Sequence, residues 1–160
     1  MSNVLIQTAE PMTSWIFQGN PGTFRINDAV KNLEKTTWLV KVNQRKMRPG
    51  DIVYLWRSEH QNNPAGIIAK SKMVGVVTPM FSPTEVIQYW VDPNADNTRE
   101  DRVRLEILEF CENDESMIER SEFLSSEILS SSLIIRQPNG TNYILSDLEA
   151  EIIDDMWASR

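Results

Sequence analysis

Along this chain the spacing of apolar residues switches period, and each switch predicts an element. In "RVRLEILEF" charged and apolar residues alternate, with Val103, Leu105 and Ile107 on one face and Arg102, Arg104 and Glu106 on the other. That is the pattern of a half-exposed antiparallel strand, the second face turned to solvent. In "INDAVKNLEK" the apolar residues Ile26, Ala29, Val30 and Leu33 recur at helical spacing, with Asn27 or Asp28 near the start. "SWIFQ" and the β-branched "TTWLVKV" read as strands, separated by the turn cluster "GNPG" and that helix.

The basic turn "NQRKMRPGD" launches the strand "IVYLW". This strand and "IIAKSKMVGVV", which is long enough to bend at Gly75, form a hairpin around the polar loop "RSEHQNNPAG". In "FSPTEVIQYW" the order Ser82 then Pro83 predicts one turn of helix capped by the serine. "DPNADNTRED" is a hydrophilic loop, and "ENDESMIERSEFLSSEIL" a loop followed by a helix. "LIIRQPNGTNYIL" carries an Asn-Gly hairpin turn, and "SDLEAEIIDDMW" a terminal helix with Ser146 as its cap. Five or six mostly antiparallel strands interrupted by short helices imply an α+β fold, a closed or nearly closed small β-barrel.

Residues 1–160 suffice for one domain that folds on its own core. The opening "MSNVLIQTAEPMTSW" lacks the basic patch and apolar block of a secretion signal, and no apolar run is long enough for a bilayer, so a cytoplasmic protein with no membrane partner is the expectation. Cys111 and His60 are the sole residues of their kinds, which leaves no structural zinc site and no disulfide framework. A Ser/His/Asp set through His60 stays formally open. However, "SEHQNNP" reads as a flexible loop with no nucleophile-elbow glycines, so no catalytic residue, metal or cofactor is expected.

The net charge of −7 hides an asymmetry. From Trp15 to Gly75 ten Lys/Arg face four Asp/Glu, and the rest of the chain carries six against nineteen. The basic half could neutralise phosphates, while the acidic half would suppress indiscriminate adhesion to nucleic acid, so binding should need a pocket as well as charge. Solubility alone also accounts for such a split. Five tryptophans are many for this length. Trp15 and Trp157 read as core, whereas Trp38 and Trp90 stand at strand–loop boundaries where a flat apolar wall could stack on a planar ligand.

The ordered set "SWIFQGNPGTFRI", "TTWLVKV", "MRPGDIVYLWRS", "PAGIIAKSKMVGVV", "IQYW", "RVRLEIL" and "IIRQPNGTNYILSDLE" resembles the EVE domain of the PUA-like superfamily, a relative of YTH domains. It is most similar to the branch fused to modification-dependent restriction nucleases. The resemblance implies a small PUA-like barrel that reads a modified base in DNA or RNA, flipped into an aromatic cage, with a separate nuclease or other effector as a partner and no catalysis of its own. Carried over, it places Gln18, Gly19 and Asn20 at the edge of the base, Trp38 on the first cage wall and Leu39 and Val40 beside it. Trp90 is the candidate second wall, with Met80 and Phe81 as rivals. Stand-alone EVE domains have an acidic residue and proline after the first strand and a Gly-Val-Arg-Asn run after the tryptophan. Here "GNP" and "WLVKV" stand in those places.

Asn20 carries both donor and acceptor groups suited to a base edge. Lys41, Arg45, Lys46 and Arg48 follow the first wall, where phosphates flanking an extruded nucleotide would lie, or else form a solvated turn. On "DIVYLWRS", Ile52, Tyr54, Trp56 and Ser58 share one face. That makes Trp56 core and pocket support and Ser58 a donor at the rim. Two other readings stay open: a protein-interaction adaptor that uses its acidic half, and a PUA-like domain that binds unmodified RNA.

Overall fold

The computed structural model describes residues 12–160, and residues 1–11, most of the stretch screened for a secretion signal, lie outside the described residues. The first strand, β1 (Ser14–Gly19), runs into an Asx turn in which the Asn20 side chain accepts from Gly22 N–H at 2.8 Å. Helix α1 (Ile26–Asn32) buries Ile26, Ala29 and Val30, and β2 (Lys35–Leu39) follows. A single 3-10 turn over Gln44–Lys46 leads to Arg48-Pro49-Gly50-Asp51, where Gly50 takes φ +93° and Asp51 N–H closes on Arg48 C=O. These are the backbone requirements of a type II turn, proline second and glycine third.

That turn aims β3 (Ile52–Arg57) through the middle of the molecule, between β1, which it pairs in parallel, and β4 (Gly66–Met73), its antiparallel hairpin partner. The chain bends at Gly75 into β5 (Thr78–Met80), makes the short helix α2 (Thr84–Ile87), and returns along the long strand β6 (Glu100–Phe110). Then come β7 (Ile118–Glu119), α3 (Arg120–Leu124), α4 (Leu133–Arg136), β8 (Asn142–Ile144) and α5 (Asp147–Ala158). The sheet order is β2-β6-β4-β3-β1-β8, with β5 on β6 and β7 on β4. This mixed sheet curls into a half-barrel with five short helices among the described residues.

Four sequence expectations need correction. The sheet has eight strands among the described residues, more than five or six, because β5 and β7 are too short to leave a periodic signal. "LIIR" is helix α4, and β8 pairs with β1, so the Asn-Gly segment is a loop between helix and strand, not a hairpin turn. The N-cap of α2 is Pro83, and Ser82 makes no capping bond. Arg102 faces away from the core as the alternation of β6 implies, yet it is 7% exposed, because the chain between β5 and β6 covers that face.

The core runs along both sides of β3, where Val53, Tyr54, Leu55, Trp56 and Arg57 are all buried. Arg57 is tolerated there through a bidentate pair with Asp114 at 2.8 and 3.2 Å and a bond to Pro64 C=O. Asp51, 1% exposed, accepts from Trp15 Nε1 at 2.9 Å and from Arg48 N–H at 3.1 Å, which fixes the type II turn against β1. At the C-terminus the Ser146 and Glu149 capping box starts α5, which buries Ile153 and Trp157. No helix among the described residues is long and apolar enough to cross a membrane.

Sheet ends β2 and β8 are joined by one side chain. Asn142 Nδ2 donates to Leu39 C=O at 3.0 Å and its Oδ1 accepts from Lys41 N–H at 2.8 Å, so the amide takes the place of a paired strand residue. Asn142→Ala leaves both backbone groups unpartnered and should lower stability by about 1–3 kcal/mol in a denaturant titration. Asp114 ionises below its ordinary value because the Arg57 guanidinium bonds its charged form. The stability this gives is present at neutral pH and lost as pH falls below about 4, through the depressed value. Asp114→Asn should therefore flatten the acid limb of a stability–pH curve measured between pH 5 and 2.

Candidate nucleic-acid interface

Where β1, β2 and β6 reach the same end of the half-barrel, the loops around them leave a cleft of about 790 Å3. That is within the range of small-ligand sites, roughly 300–1,000 Å3. One wall is the end of β1 with Gln18, Gly19 and Asn20, followed by Gly22, Thr23 and Phe24. The floor comes from β2 with Thr37, Trp38 and Leu39, and the far wall from Ser82, Val86, Trp90 and Val91. Glu100 and Arg102 of β6 and the loop Pro138–Thr141 complete it. A second depression, lined by Ser121, Glu122, Ser125, Ser126, Ile152 and Met156, contains no aromatic ring.

Each wall is held by identifiable bonds. The Gln18 amide donates to Pro138 C=O at 2.8 Å and Gly140 C=O at 2.7 Å, tying the Asn-Gly loop to the end of β1. Both Gln18 side-chain protons are thereby engaged. Trp38 is 6% exposed, meets Phe24 edge to face at 5.9 Å and donates from Nε1 to Gln18 C=O at 3.3 Å. A Cβ on Gly19 would stand 3.0 Å from the Trp38 ring and 3.1 Å from Ile26, so the indole packs close against the glycine and an added methyl would have to push these neighbours back by a few tenths of an ångström. Trp90, half-buried, is docked through backbone bonds on either side of it, Arg25 N–H to Tyr89 C=O and Val91 N–H to Thr23 C=O.

The polar end lies beneath the segment between β5 and β6. Asn97 clasps the Ser82 backbone with two bonds of 2.9 Å, accepting from its N–H and donating to its C=O. Arg102 donates from Nε to Met80 C=O at 3.1 Å and from Nη2 towards Thr98 C=O at 3.4 Å and Glu100 Oε2 at 3.5 Å; burial lowers its pKa, and the Glu100 carboxylate opposes that shift. In the β2–β6 register Leu39 stands opposite Arg102, so Thr37, Leu39 and Arg102 share one face of the sheet. Thr37 Oγ1 and Ser82 Oγ are buried and make no hydrogen bond among the described residues.

Of the residues named from the sequence, the cleft brings together Gln18, Gly19, Asn20, Trp38, Leu39, Ser58, Trp90 and Lys41. Val40 and Trp56 are buried and do not line it; Trp56 packs edge to face on Phe123 at 5.1 Å. Met80 and Phe81, the rivals of Trp90, are not among the lining residues. Arg45, Lys46 and Arg48 are exposed on the turn beyond Lys41, away from the lining. Thr37, Ser82 and Arg102 escaped the sequence reading, since their burial depends on where the chain between β5 and β6 folds back. Asp92 and Asp96, just after Trp90, make an acidic lip, and Glu100 lines the cleft from β6, paired with Arg102 at 3.5 Å. No group of three or more His, Cys, Asp or Glu among the described residues could hold a metal.

A mixed sheet curled into a half-barrel, with short helices around it and an aromatic cleft at one end, is the α+β PUA-like fold. Within that fold the chain belongs to the EVE domain family, whose model matches residues 13–156. A hypothetical protein from Leishmania major superposes with a TM-score of 0.69 at 17% identity, over 94% of this chain and 98% of that one. Human THYN1 in complex with 5-methylcytosine-containing DNA superposes with a TM-score of 0.65 at 16% identity, over 91% and 97%. The DUF55 domain of human thymocyte nuclear protein 1 gives 0.64 at 16%, over 92% and 99%. These likenesses establish a shared fold. No curated protein matches the sequence.

Filling the space under the indole tests the Trp38 wall. Gly19→Ala should cost about 1–3 kcal/mol through overpacking and shift the tryptophan emission, read by denaturation and fluorescence on the same sample.

Proposed function

We propose that this EVE domain is a non-enzymatic nucleic-acid-binding module that reads a modified base, a methylated or hydroxymethylated cytosine or a methyladenine, flipped into the cleft. One observation carries this reading: Trp38 and Trp90, remote in sequence, line one depression with the polar groups of Gln18, Asn20 and Ser58. A flipped base forfeits a few kcal/mol of stacking and pairing, and an aromatic wall with partners for the polar edge can recover it. Trp90, the more exposed ring, offers its face, while Trp38 is locked by Gly19 and Phe24 as the fixed wall. Asn20 keeps its amide protons for the ligand, since its bond to Gly22 engages only the oxygen. Lys41 at the rim meets a flanking phosphate, and Arg45, Lys46 and Arg48 extend that track along the turn.

The human THYN1 complex with 5-methylcytosine-containing DNA supports this reading by showing that one protein of the same fold meets such DNA. A reader needs an effector, a separate nuclease or another protein, to turn recognition into consequence. The acidic lip of Asp92 and Asp96 favours a second reading, an adaptor that binds a basic protein partner.

Fluorescence titration with short oligonucleotides, unmodified or carrying 5-methylcytosine, 5-hydroxymethylcytosine or 6-methyladenine, separates these readings. Tighter binding of a modified member is the expected result. Equal binding that fades as salt rises indicates contact with the backbone alone, as for unmodified RNA, and no binding favours the adaptor. Trp90→Ala should weaken the preferred oligonucleotide about 5- to 150-fold, the value of one stacked base, and leave the fold intact by circular dichroism.

A further inference from the structure

The sequence holds a single Asn-Gly pair, Asn139-Gly140, and in the fold both residues are exposed on the loop that lines the cleft between α4 and β8. Such a pair has a reactivity of its own. The backbone nitrogen that follows an asparagine attacks the side-chain carbonyl carbon Cγ, a new C–N bond closes a succinimide ring, and the side-chain nitrogen leaves as ammonia. Water then opens the ring at either carbonyl, giving aspartate or, where the main chain now runs through the side chain, isoaspartate. A glycine in second place favours the attack, having no Cβ to obstruct it. The step requires the Gly140 nitrogen to give up its proton and to swing onto Cγ of Asn139.

Both movements are opposed here. Gly140 N–H donates to Tyr143 Oη at 2.7 Å, and that hydroxyl donates onward to Gln137 C=O at 2.5 Å. Gln18 Nε2 donates to Pro138 C=O and to Gly140 C=O. The rigid peptide planes before and after Asn139 are thus both tied down, which sets its φ and ψ. Tyr143 is 4% exposed and belongs to β8, so the hydroxyl is a fixed anchor. Burial raises its pKa, which keeps it protonated at about pH 8.5, where deamidation is fast. We propose that Asn139 is a deamidation site guarded by Tyr143 and Gln18, and that its conversion lowers the hold of the cleft on nucleic acid. The product carboxylate joins Asp92 and Asp96 around the same cleft and repels a phosphate backbone. Isoaspartate also lengthens the main chain by a methylene, which draws Gly140 away from Tyr143. The effect on binding rests on the reading above; the guard does not.

The test holds the full chain at mildly alkaline pH and follows, by mass spectrometry of the peptide containing Asn139, the replacement of NH2 by OH and the appearance of isoaspartate. Folded wild type is compared with wild type unfolded in guanidinium chloride and with Tyr143→Phe and Gln18→Leu, their folds checked by circular dichroism. Folded wild type should deamidate at Asn139 at least about tenfold more slowly than the unfolded chain. Tyr143→Phe keeps the ring and loses only the hydroxyl, so it should react about 2- to 10-fold faster than folded wild type, the worth of one hydrogen bond. Gln18→Leu, which frees the two carbonyls, should also be faster. Equal rates in folded and unfolded wild type, or folded variants no faster than wild type, would overturn the guard. In the second arm Asn139→Asp should bind the oligonucleotide that wild type prefers at least about threefold more weakly, with the gap closing as salt rises. Unchanged affinity of Asn139→Asp would overturn the effect on the cleft. A wild type that binds no oligonucleotide would overturn that effect together with the base-reading function, while the mass measurement alone decides the guard.

Discussion

The candidate site depends on a closure made by one amide. A curled sheet of this order has two free ends, β2 and β8, and each presents backbone groups that must find partners when buried. Asn142 supplies them, bonding Leu39 C=O and Lys41 N–H from a residue that is itself 5% exposed. Because Asn142 begins β8, and β8 is paired to β1, the same contact sets the separation of β1 and β2 at the cleft end. Gln18 repeats the device one strand over, holding the Asn-Gly loop with two further bonds. Side-chain amides thus build the rim that regular strand pairing does not reach.

What the closure leaves open is covered by the chain between β5 and β6. That excursion is anchored at Asn97 to Ser82 and at Arg102 to Met80 and Thr98, and its middle is stitched to the loop after β1 at Phe24 and Trp90. It brings a second tryptophan to the cleft that Trp38 lines and covers the outward face of β6 at Arg102. The anchoring is polar and local while the apolar burial is small. Val86 is the one buried residue of α2. This wall of the cleft is therefore held chiefly by polar bonds.

The sequence made the fold legible where pattern is local. β1, β3, β4, α1 and α5 follow from alternation, helical spacing and caps, since each buries a face that its own residues declare. "LIIR" was not legible, because a four-residue apolar run is equally a strand or a buried helical turn and its partners decide between them. The cleft shows the same limit. The placement of Trp38 and Trp90 on one depression came through a family resemblance, not through spacing. The burial of Arg102 and the unpaired hydroxyls of Thr37 and Ser82 depend on contacts between residues fifteen or more positions apart. An alternating strand announces which face a residue takes, but not what will later cover that face.

The charge asymmetry gains a location in the folded chain. Lys41 and the exposed Arg45, Lys46 and Arg48 follow β2, while Asp92 and Asp96 line the cleft just after Trp90, and Glu100 on β6 is paired with Arg102. Arg57, counted with the basic half, is spent on Asp114, and Arg25 lies against the Tyr89 ring at 5.9 Å. A polyanion approaching the cleft would therefore find favourable charge along one edge and repulsion along the other. Such a surface releases few counterions and so supplies little affinity that is indifferent to sequence. On the proposed reading the deficit is useful: a module with weak grip on ordinary backbone must draw its affinity from the pocket, and its discrimination then approaches that of the pocket itself.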